Sequence, residues 1–333
     1  MDLRQQVLEQ ASAWPTVLNT LRAIVEEFPL SLGIGSLSPA ARQAEPLRGA
    51  LALCSMFAVG CLVASWVTGN CSQVDKLWSI TPAIYCWWFH NSGHPRTLLM
   101  AVLATLWGAR LTYNFARKGG YSGEEDYRWP VLRRMMPGWL FQVFNVAFIA
   151  VYQHLLLLVI ALPAYVASVS AKTGAAPALN VTDFCSAGLL LFSLVLESVA
   201  DQQQWAFYAA RARHRASKNS AGAGEDAAFG GDLTRGFFTG GLFRLSRHPN
   251  FFFEQCIWVC FCGFGAAAAG CACWEPRWWW VGAALLVCLF QGSTSFTESL
   301  TVKKYSRYAE YQRTTSRLLP WLPGRLVPET KTE

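Results

Sequence analysis

Three long stretches without Asp, Glu, Lys or Arg limit what this chain can fold into. They are Gly49–Gly69, Trp139–Ser168 and Trp278–Thr297, which are 21, 30 and 20 residues long. A helix needs about 20 apolar residues to cross the hydrocarbon core of a bilayer. The chain of 333 residues is 53% hydrophobic and 15% charged, whereas soluble domains carry about 25% charged residues. These values exclude a disordered chain and favour a membrane protein.

Four further apolar stretches are shorter or contain one charged residue. Together with the first three they predict an all-α, polytopic membrane protein with about seven transmembrane helices. The four are Leu77–His90, Thr97–Phe115, Phe184–Ala200 and Phe251–Gly270.

The distribution of Lys and Arg gives the predicted orientation, because cytoplasmic loops carry the positive excess. With seven spans, the segments on the N-terminal side hold 7 of these residues and the segments on the opposite side hold 20. We therefore expect a non-cytoplasmic N-terminus and a cytoplasmic C-terminus. Omitting Leu77–His90 as a span would place the two richest later segments together with residues 1–48.

The domain prediction is simple. Residues 1–48 are predicted to form a non-cytoplasmic amphipathic segment, since acidic residues interrupt any secretory signal there. Residues 49–323 are predicted to form one transmembrane domain, and residues 324–333 a cytoplasmic tail. The loop 216–236 is an insertion rich in small residues. No cysteine spacing typical of zinc is present, so we predict no metal site.

Ionisable residues inside predicted spans mark a candidate site, because their cost in a membrane is several kcal/mol. They fall on three faces that meet the same positively charged side. The first face carries Glu197 and Asp201, four residues apart. The second carries Asn250 and Glu254, after Arg247 and His248, with Pro249 predicted in the first turn of a helix. The third carries Glu298 and Tyr305, followed by Tyr308 and Tyr311.

The sequence around the second of these faces resembles the signature of a known family. The stretch Arg235–Glu254, with Ser-Arg-His-Pro-Asn-Phe-Phe-Phe-Glu at its end, resembles a signature of the DUF1295 branch of the steroid 5α-reductase C-terminal superfamily. Four other motifs follow the family's order, and the resemblance covers about residues 50–323. They are Val74–Ser79, Leu106–Leu111, Glu124–Arg128 and Glu197–Gln202, and the family's closing motif is matched by Glu298–Trp321.

The resemblance implies a fold of seven helices whose C-terminal half holds a cofactor, NADPH in the reductases, at the cytoplasmic side. Residue by residue, the implied cofactor contacts are Asp201, Asn250, Glu254 and Glu298, with Arg247 and His248 near the phosphates and Tyr305 and Tyr311 lining the pocket. To these we add Glu197 and Arg117 from the same side. The acid that polarises the substrate in the reductases falls near Asp75.

The leading hypothesis is a membrane-embedded NAD(P)H-dependent reductase of an activated C=C bond in a steroid, polyprenoid or enoyl lipid. The residues predicted to stabilise the developing enolate are Asp75, Arg110 and Tyr113. We expect lipid partners, no nucleic acid, and the endoplasmic reticulum membrane in a eukaryotic host. The substrate and the oligomeric state stay open.

Two departures from the family signature keep two alternatives open. Phe251 replaces the family's Tyr, and Phe253 replaces a Gly at which close backbone approach is usual. One alternative is a methyltransferase that uses S-adenosylmethionine, as relatives sharing this helix do. The other is a non-enzymatic membrane protein with a relict pocket.

Overall fold

The computed structural model describes residues 45–90, 93–173, 177–217, 229–271 and 276–322. Within these ranges the regular secondary structure is helical, which confirms the all-α prediction. The α-helices are α1 Pro46–Thr68, α2 Thr81–Phe89, α3 Pro95–Arg117, α4 Arg128–Met135, α5 Gly138–Phe144, α6 Gln153–Val159, α7 Leu162–Lys172, α8 Val181–Ser217, α9 Asp232–Arg235, α10 Pro249–Ala268, α11 Val281–Lys304 and α12 Tyr308–Thr314. A π-helix, Asn145–Tyr152, joins α5 to α6, and short 3₁₀ turns cover Gly241–Arg244 and Trp278–Trp280.

Five helical segments of the described chain are long and apolar enough to cross a membrane. They are Pro46–Thr68, Gly138–Val159, Val181–Ala216, Pro249–Ala268 and Trp278–Lys304. These helices associate the protein with membrane lipid. The other two predicted spans, α2 and α3, are mainly helical as well, but α2 is shorter and α3 carries more charge than the five. Helix α2 has nine residues, about 14 Å at 1.5 Å per residue, and α3 has 23 residues that include Arg96, Arg110 and Arg117.

The predicted run Trp139–Ser168 does not form one continuous α-helix. It passes from α5 through the π-helix to α6, and the α-helical pattern ends at Val159. Helix α7 begins at Leu162, with Pro163 in its first turn. Proline lacks an N–H and cannot continue a preceding helix, but it fits a new first turn. The break therefore has a cause in the sequence, which hydropathy alone does not reveal.

The described chain divides into two compact units. Unit 1 contains the residues up to Gly188 and Trp258–Leu286. Within it, α1 packs on α2, the π-helix and α6, while α3 packs on α2 and α7. Two glycines permit close contacts here. A Cβ at Gly108 would collide with the carbonyl oxygen of Ser79, and one at Gly282 with that of Val159, as is common where membrane helices pack closely.

A buried ion pair lies in the same unit. Arg96 Nε is 2.7 Å from Asp183 Oδ1, and both side chains are fully buried. Arg96 also donates to the carbonyl oxygens of Pro177 and Ala178, at 3.0 Å each. Asp183 accepts a further bond from the backbone N–H of Asn180. The pair thus has the additional hydrogen bonds that a buried charge requires.

Unit 2 contains Leu189–Ile257 and the residues from Val287 onward. Helix α10 begins at Pro249, so the predicted helix start is confirmed. A cluster of Phe237, Tyr308 and Tyr311 forms part of the core of this unit. The amphipathic prediction for residues 1–48 concerns mostly undescribed residues, as do the tail 324–333 and the middle of the insertion 216–236.

Candidate functional site

The carboxylate of Glu298, on α11, is the centre of a hydrogen-bond network in unit 2. It accepts bonds from Arg247 Nε at 2.6 Å and Arg247 Nη2 at 3.0 Å. It also accepts from His248 Nε2 at 2.9 Å, Tyr308 Oη at 3.3 Å and Gln312 Nε2 at 2.9 Å. A carboxylate has about four lone-pair positions, so five donors use its capacity fully. Glu298 therefore holds these neighbouring side chains by hydrogen bonds, and its carboxylate has little capacity left to accept a bond from a ligand.

Arg247 is similarly committed to the protein. Besides Glu298, its Nη1 donates to the backbone oxygens of Gln312 and Thr315. The backbone N–H of Arg247 donates to Ser316 O at 2.8 Å. The guanidinium of Arg247 thus lies in this internal network, and its predicted position near the phosphates of a cofactor stays a prediction. Its role there is to fix the segment before α10 against the chain after α11.

His248 is oriented by the same carboxylate. Because an ionised carboxylate only accepts, Nε2 of His248 carries the hydrogen, and Nδ1 is the other ring position. The ring stacks on Phe251, with centroids 5.4 Å apart and planes at 15°, and Phe251 meets Phe290 edge-on at 4.9 Å. The residue that replaces the family's Tyr thus packs against His248. Phe253 is buried.

A second polar contact links α8 and α10. Asn250 Nδ2 donates to Asp201 Oδ1 at 3.3 Å. Asp201 is buried, as are Glu197 one turn earlier on α8 and Glu254 one turn later on α10. The predicted spacing of four residues on each helix therefore places these acids in the interior of unit 2.

Tyr305 lies just after α11 and carries two cations against its ring. The guanidinium of Arg211 is 5.2 Å from the ring centroid, and the ammonium of Lys304 is 5.5 Å from it. Gly236 contacts the ring, has a φ of 88°, and leaves no room for a Cβ. An aromatic ring flanked by two positive charges suits a ligand that combines phosphate with a flat base.

Tyr308 and Tyr311 follow on α12 and are buried. The hydroxyl of Tyr311 donates to Phe243 O, and its ring stacks with Phe237 at 5.6 Å. Burial raises the pKa of Tyr308, and the negative charge of Glu298 raises it further. Burial also raises the pKa of Tyr311. Both therefore remain neutral hydrogen-bond donors. Tyr311, predicted to line the pocket, lies in the core cluster of this unit, and its role in a pocket stays a prediction.

Asp75, the predicted substrate acid, lies in unit 1, in the turn before α2. Its Oδ2 accepts a bond from Trp129 Nε1 at 3.0 Å. Burial raises the pKa of this carboxyl, while Arg128 and the bond from Trp129 lower it in part. The turn is held by Ser72 and Asp126, since the N–H of Asp126 donates to Ser72 Oγ at 2.8 Å. Asp75 is thus a carboxyl whose environment favours the protonated form.

The other residues predicted on α3 have different surroundings. Tyr113 is 67% exposed, with the guanidinium of Arg117 5.4 Å from its ring centroid. Arg117 donates to Asn114 Oδ1 at 3.0 Å, and Arg110 is partly buried. Tyr113 and Arg117 therefore form a local pair on the surface of unit 1.

Sequence reasoning named Tyr308 only as following the third face of the candidate site, and it did not identify Gln312 or Thr315. Tyr308 and Gln312 are four residues apart, so both face Glu298 from one side of α12. That spacing is visible in the sequence, but the partner, which is 14 residues before Gln312, is not. In the described ranges, no group of three or more His, Cys, Asp or Glu side chains could hold a metal ion.

Comparisons with known proteins identify a family and one relative. A family model described as a protein of unknown function (DUF1295) matches residues 61–315. An uncharacterized protein of Schizosaccharomyces pombe is 42% identical over 272 residues, which cover 79% of this chain and 76% of the yeast protein. No solved structure matches the chain.

Proposed function

The chain belongs to the DUF1295 family, and from this premise we propose that it is a membrane-embedded NAD(P)H-dependent reductase of an activated C=C bond in a lipid. The resemblance of the family to the steroid 5α-reductases supports this choice. The topology expected from the positive-residue count, with a cytoplasmic C-terminus in the endoplasmic reticulum membrane of a eukaryotic host, is part of the proposal.

The observation that carries the proposal is the number of ionisable side chains buried in unit 2. Among them are Glu197, Asp201, Arg247, Glu254 and Glu298, each less than a tenth exposed. Charged groups at membrane depth are costly and mark functional sites by default. They occur on three helices, α8, α10 and α11, and on the segment that precedes α10.

The donors and acceptors of unit 2 fit a pyridine nucleotide. Arg211 and Lys304 supply positive charge beside the Tyr305 ring, which suits phosphates and the adenine base. The Asn250–Asp201 pair offers amide and carboxylate groups for ribose hydroxyls. Arg247 and Glu298 position His248 and α12 and do not themselves contact the nucleotide in this assignment. NADPH, when bound, supplies a hydride.

In unit 1, Asp75 is the residue assigned to the substrate's carbonyl oxygen. Burial raises the pKa of this carboxyl, which favours its neutral form. A neutral acid can donate a hydrogen bond to an oxygen on which negative charge develops. Trp129 donates to Oδ2 of this carboxyl and holds it in place.

The test is ligand-dependent thermal stability of the protein purified in detergent. NADPH, NADH and S-adenosylmethionine are compared in parallel, because a ligand of the folded state raises the melting temperature. We expect a shift with NADPH that Arg211→Ala and Asn250→Ala both reduce. Arg244→Ala, an exposed basic residue of the same unit, is the matched control and keeps the shift.

Each contrary outcome has a definite meaning. A shift with S-adenosylmethionine alone would refute the reductase and favour a methyltransferase. No shift with any of the three would favour a relict pocket. A shift with NADPH that survives both substitutions would refute the assignment of the residues.

A further inference from the structure

An open groove of about 390 Å³ lies along the chain that follows α12, in unit 2. Its lining combines a guanidinium and three hydroxyl groups, from Arg313 and residues 314–316, with the apolar side chains of Leu319, Trp321 and Leu322. Charged and hydroxyl donors beside apolar side chains suit a ligand that is negatively charged at one end and apolar at the other.

Arg313 brings a positive charge to this groove that no described residue neutralises. Its side chain is exposed, and within the described ranges it forms no ion pair. The acid closest to it in sequence, Glu310, pairs with a different arginine. Arg317, four residues later, donates to the neutral groups Ser295 Oγ and Gln291 Oε1. Two guanidinium groups without a counter-charge in the described chain attract an anion.

The bonds of Arg317 also indicate the level of this segment relative to the membrane. Ser295 and Gln291 lie on α11, about 14 and 20 Å before the end of that helix at 1.5 Å per residue. Both belong to the candidate span Trp278–Lys304, and Ser295 lies two residues before the end of its charge-free run. The chain after α12 therefore returns along α11 to the polar end of the spanning segment, where hydrocarbon meets headgroups.

Three large apolar side chains of the same segment are left uncovered by the described protein. Leu319, Trp321 and Leu322 are 59%, 68% and 83% exposed. The backbone of Trp321 is nevertheless held in place, because its N–H donates to Leu245 O at 2.9 Å. Tryptophan is enriched at membrane–water interfaces, since its ring is apolar and its N–H is polar. The exposed side chains are thus placed for contact with lipid.

From these observations we infer that the groove binds an anionic phospholipid, whose phosphate contacts Arg313 and the hydroxyl of Ser316 and whose acyl chains lie along Leu319 and Trp321. Guanidinium and hydroxyl donors suit phosphate oxygens. A free phosphate would leave the apolar lining unfilled, and a zwitterionic lipid would bring its own cation to Arg313. The inference goes beyond the proposed reductase function, because this lipid is neither its substrate nor its cofactor.

The experiment uses the full chain reconstituted in phosphatidylcholine vesicles. The vesicles carry a trace of a photoreactive lipid, either phosphatidic acid or phosphatidylcholine with the same acyl chains, and the labelled residues are identified by mass spectrometry. We expect phosphatidic acid to label residues 313–322 more strongly than phosphatidylcholine does. Arg313→Gln should lower this ratio roughly fivefold, the factor for one basic residue at a membrane surface.

Lys303→Gln is the matched control. It removes one exposed positive charge of the same unit that does not line the groove, and it should keep the ratio. Trp321→Ala should lower the labelling of residues 313–322 by both lipids, whereas Trp139→Ala, which removes a similarly exposed tryptophan of unit 1, should leave it unchanged. Because Arg313 and Trp321 are both exposed, their variants should melt at the wild-type temperature.

Several results would overturn the inference. Equal labelling of residues 313–322 by the two lipids would show that the groove does not select an anionic headgroup. The same loss in Arg313→Gln and Lys303→Gln would indicate general attraction to a charged surface. Competition by inorganic phosphate at constant ionic strength would assign the site to free phosphate.

The NADPH-induced shift in melting temperature is measured on Arg313→Gln as well and should be unchanged. Loss of that shift in this variant would assign the groove to the nucleotide and overturn the inference. A lipid preference in a protein that shows no NADPH shift would support the inference and contradict the reductase proposal, so the two failures are distinguishable.

Discussion

Replacing Glu298 by Gln should destabilise the protein strongly without any ligand present. The substitution removes the only charge that Glu298 brings to Arg247, which is 8% exposed at its side chain. The new amide nitrogen is a donor and faces Arg247 Nη2 and Gln312 Nε2, which are donors as well. Breaking a buried ion pair by removing one partner costs about 3–5 kcal/mol.

The assay is thermal unfolding in detergent, followed by intrinsic fluorescence. At about 2–4 °C per kcal/mol for domains of 150–250 residues, the melting temperature should fall by roughly 10 °C. Glu310→Gln is the control, since Glu310 pairs with Arg307 at 3.1 Å in a more exposed position. Such a pair contributes about 0–1 kcal/mol. If Glu298→Gln had the same melting temperature as Glu310→Gln, the conclusion that Glu298 stabilises this unit would be refuted.

Three further predictions concern unit 1. Gly108→Ala should lower the melting temperature and the yield, because the new Cβ would collide with the carbonyl oxygen of Ser79. Gly60→Ala, with open space around it, should be neutral or stabilising. Equal effects of the two substitutions would contradict the close contact at Gly108. Asp183→Asn should lower the melting temperature through the loss of the buried charge pair with Arg96. The double variant Arg96→Met/Asp183→Leu should recover part of that loss. A double variant with a lower melting temperature than Asp183→Asn would contradict this account of the pair. Burial raises the pKa of Asp75, so the folded state binds this proton more tightly than the unfolded state, and stability falls as pH rises from the unfolded Asp value of about 3.9 through the folded pKa. Melting temperatures measured at a series of pH values should show this loss in the wild-type protein and a smaller loss in Asp75→Asn. Parallel curves for the two proteins would contradict the raised pKa.

Much of the fold follows from the sequence, because apolar runs and proline positions act locally. The seven predicted apolar segments are helical over most of their described length, and Pro249 begins α10 as expected. The break after Val159 was missed, since hydropathy stays high through Ile160 and Ala161 and only Pro163 marks it.

The partners within the candidate site could not be derived in the same way. Arg247 and Glu298 were both identified as site residues, but their mutual bond joins positions 51 residues apart. The sequence indicates Arg96 only as one positive charge in a loop. In the structure it is fully buried and pairs with Asp183, 87 residues later. Such pairings depend on how helices pack, which one sequence does not encode in any local pattern.

The distance in sequence between Arg247 and Glu298 also has a consequence during synthesis on the ribosome. The arginine emerges 51 residues before its carboxylate, an interval of about 3–10 s at 5–20 residues per second. During that time the segment before α10 has no counter-charge and α12 does not yet exist. A nascent chain that stops before Glu298 therefore carries an uncompensated guanidinium beside the membrane, and we expect quality-control proteases to remove such truncated chains even though most of the spanning helices are complete.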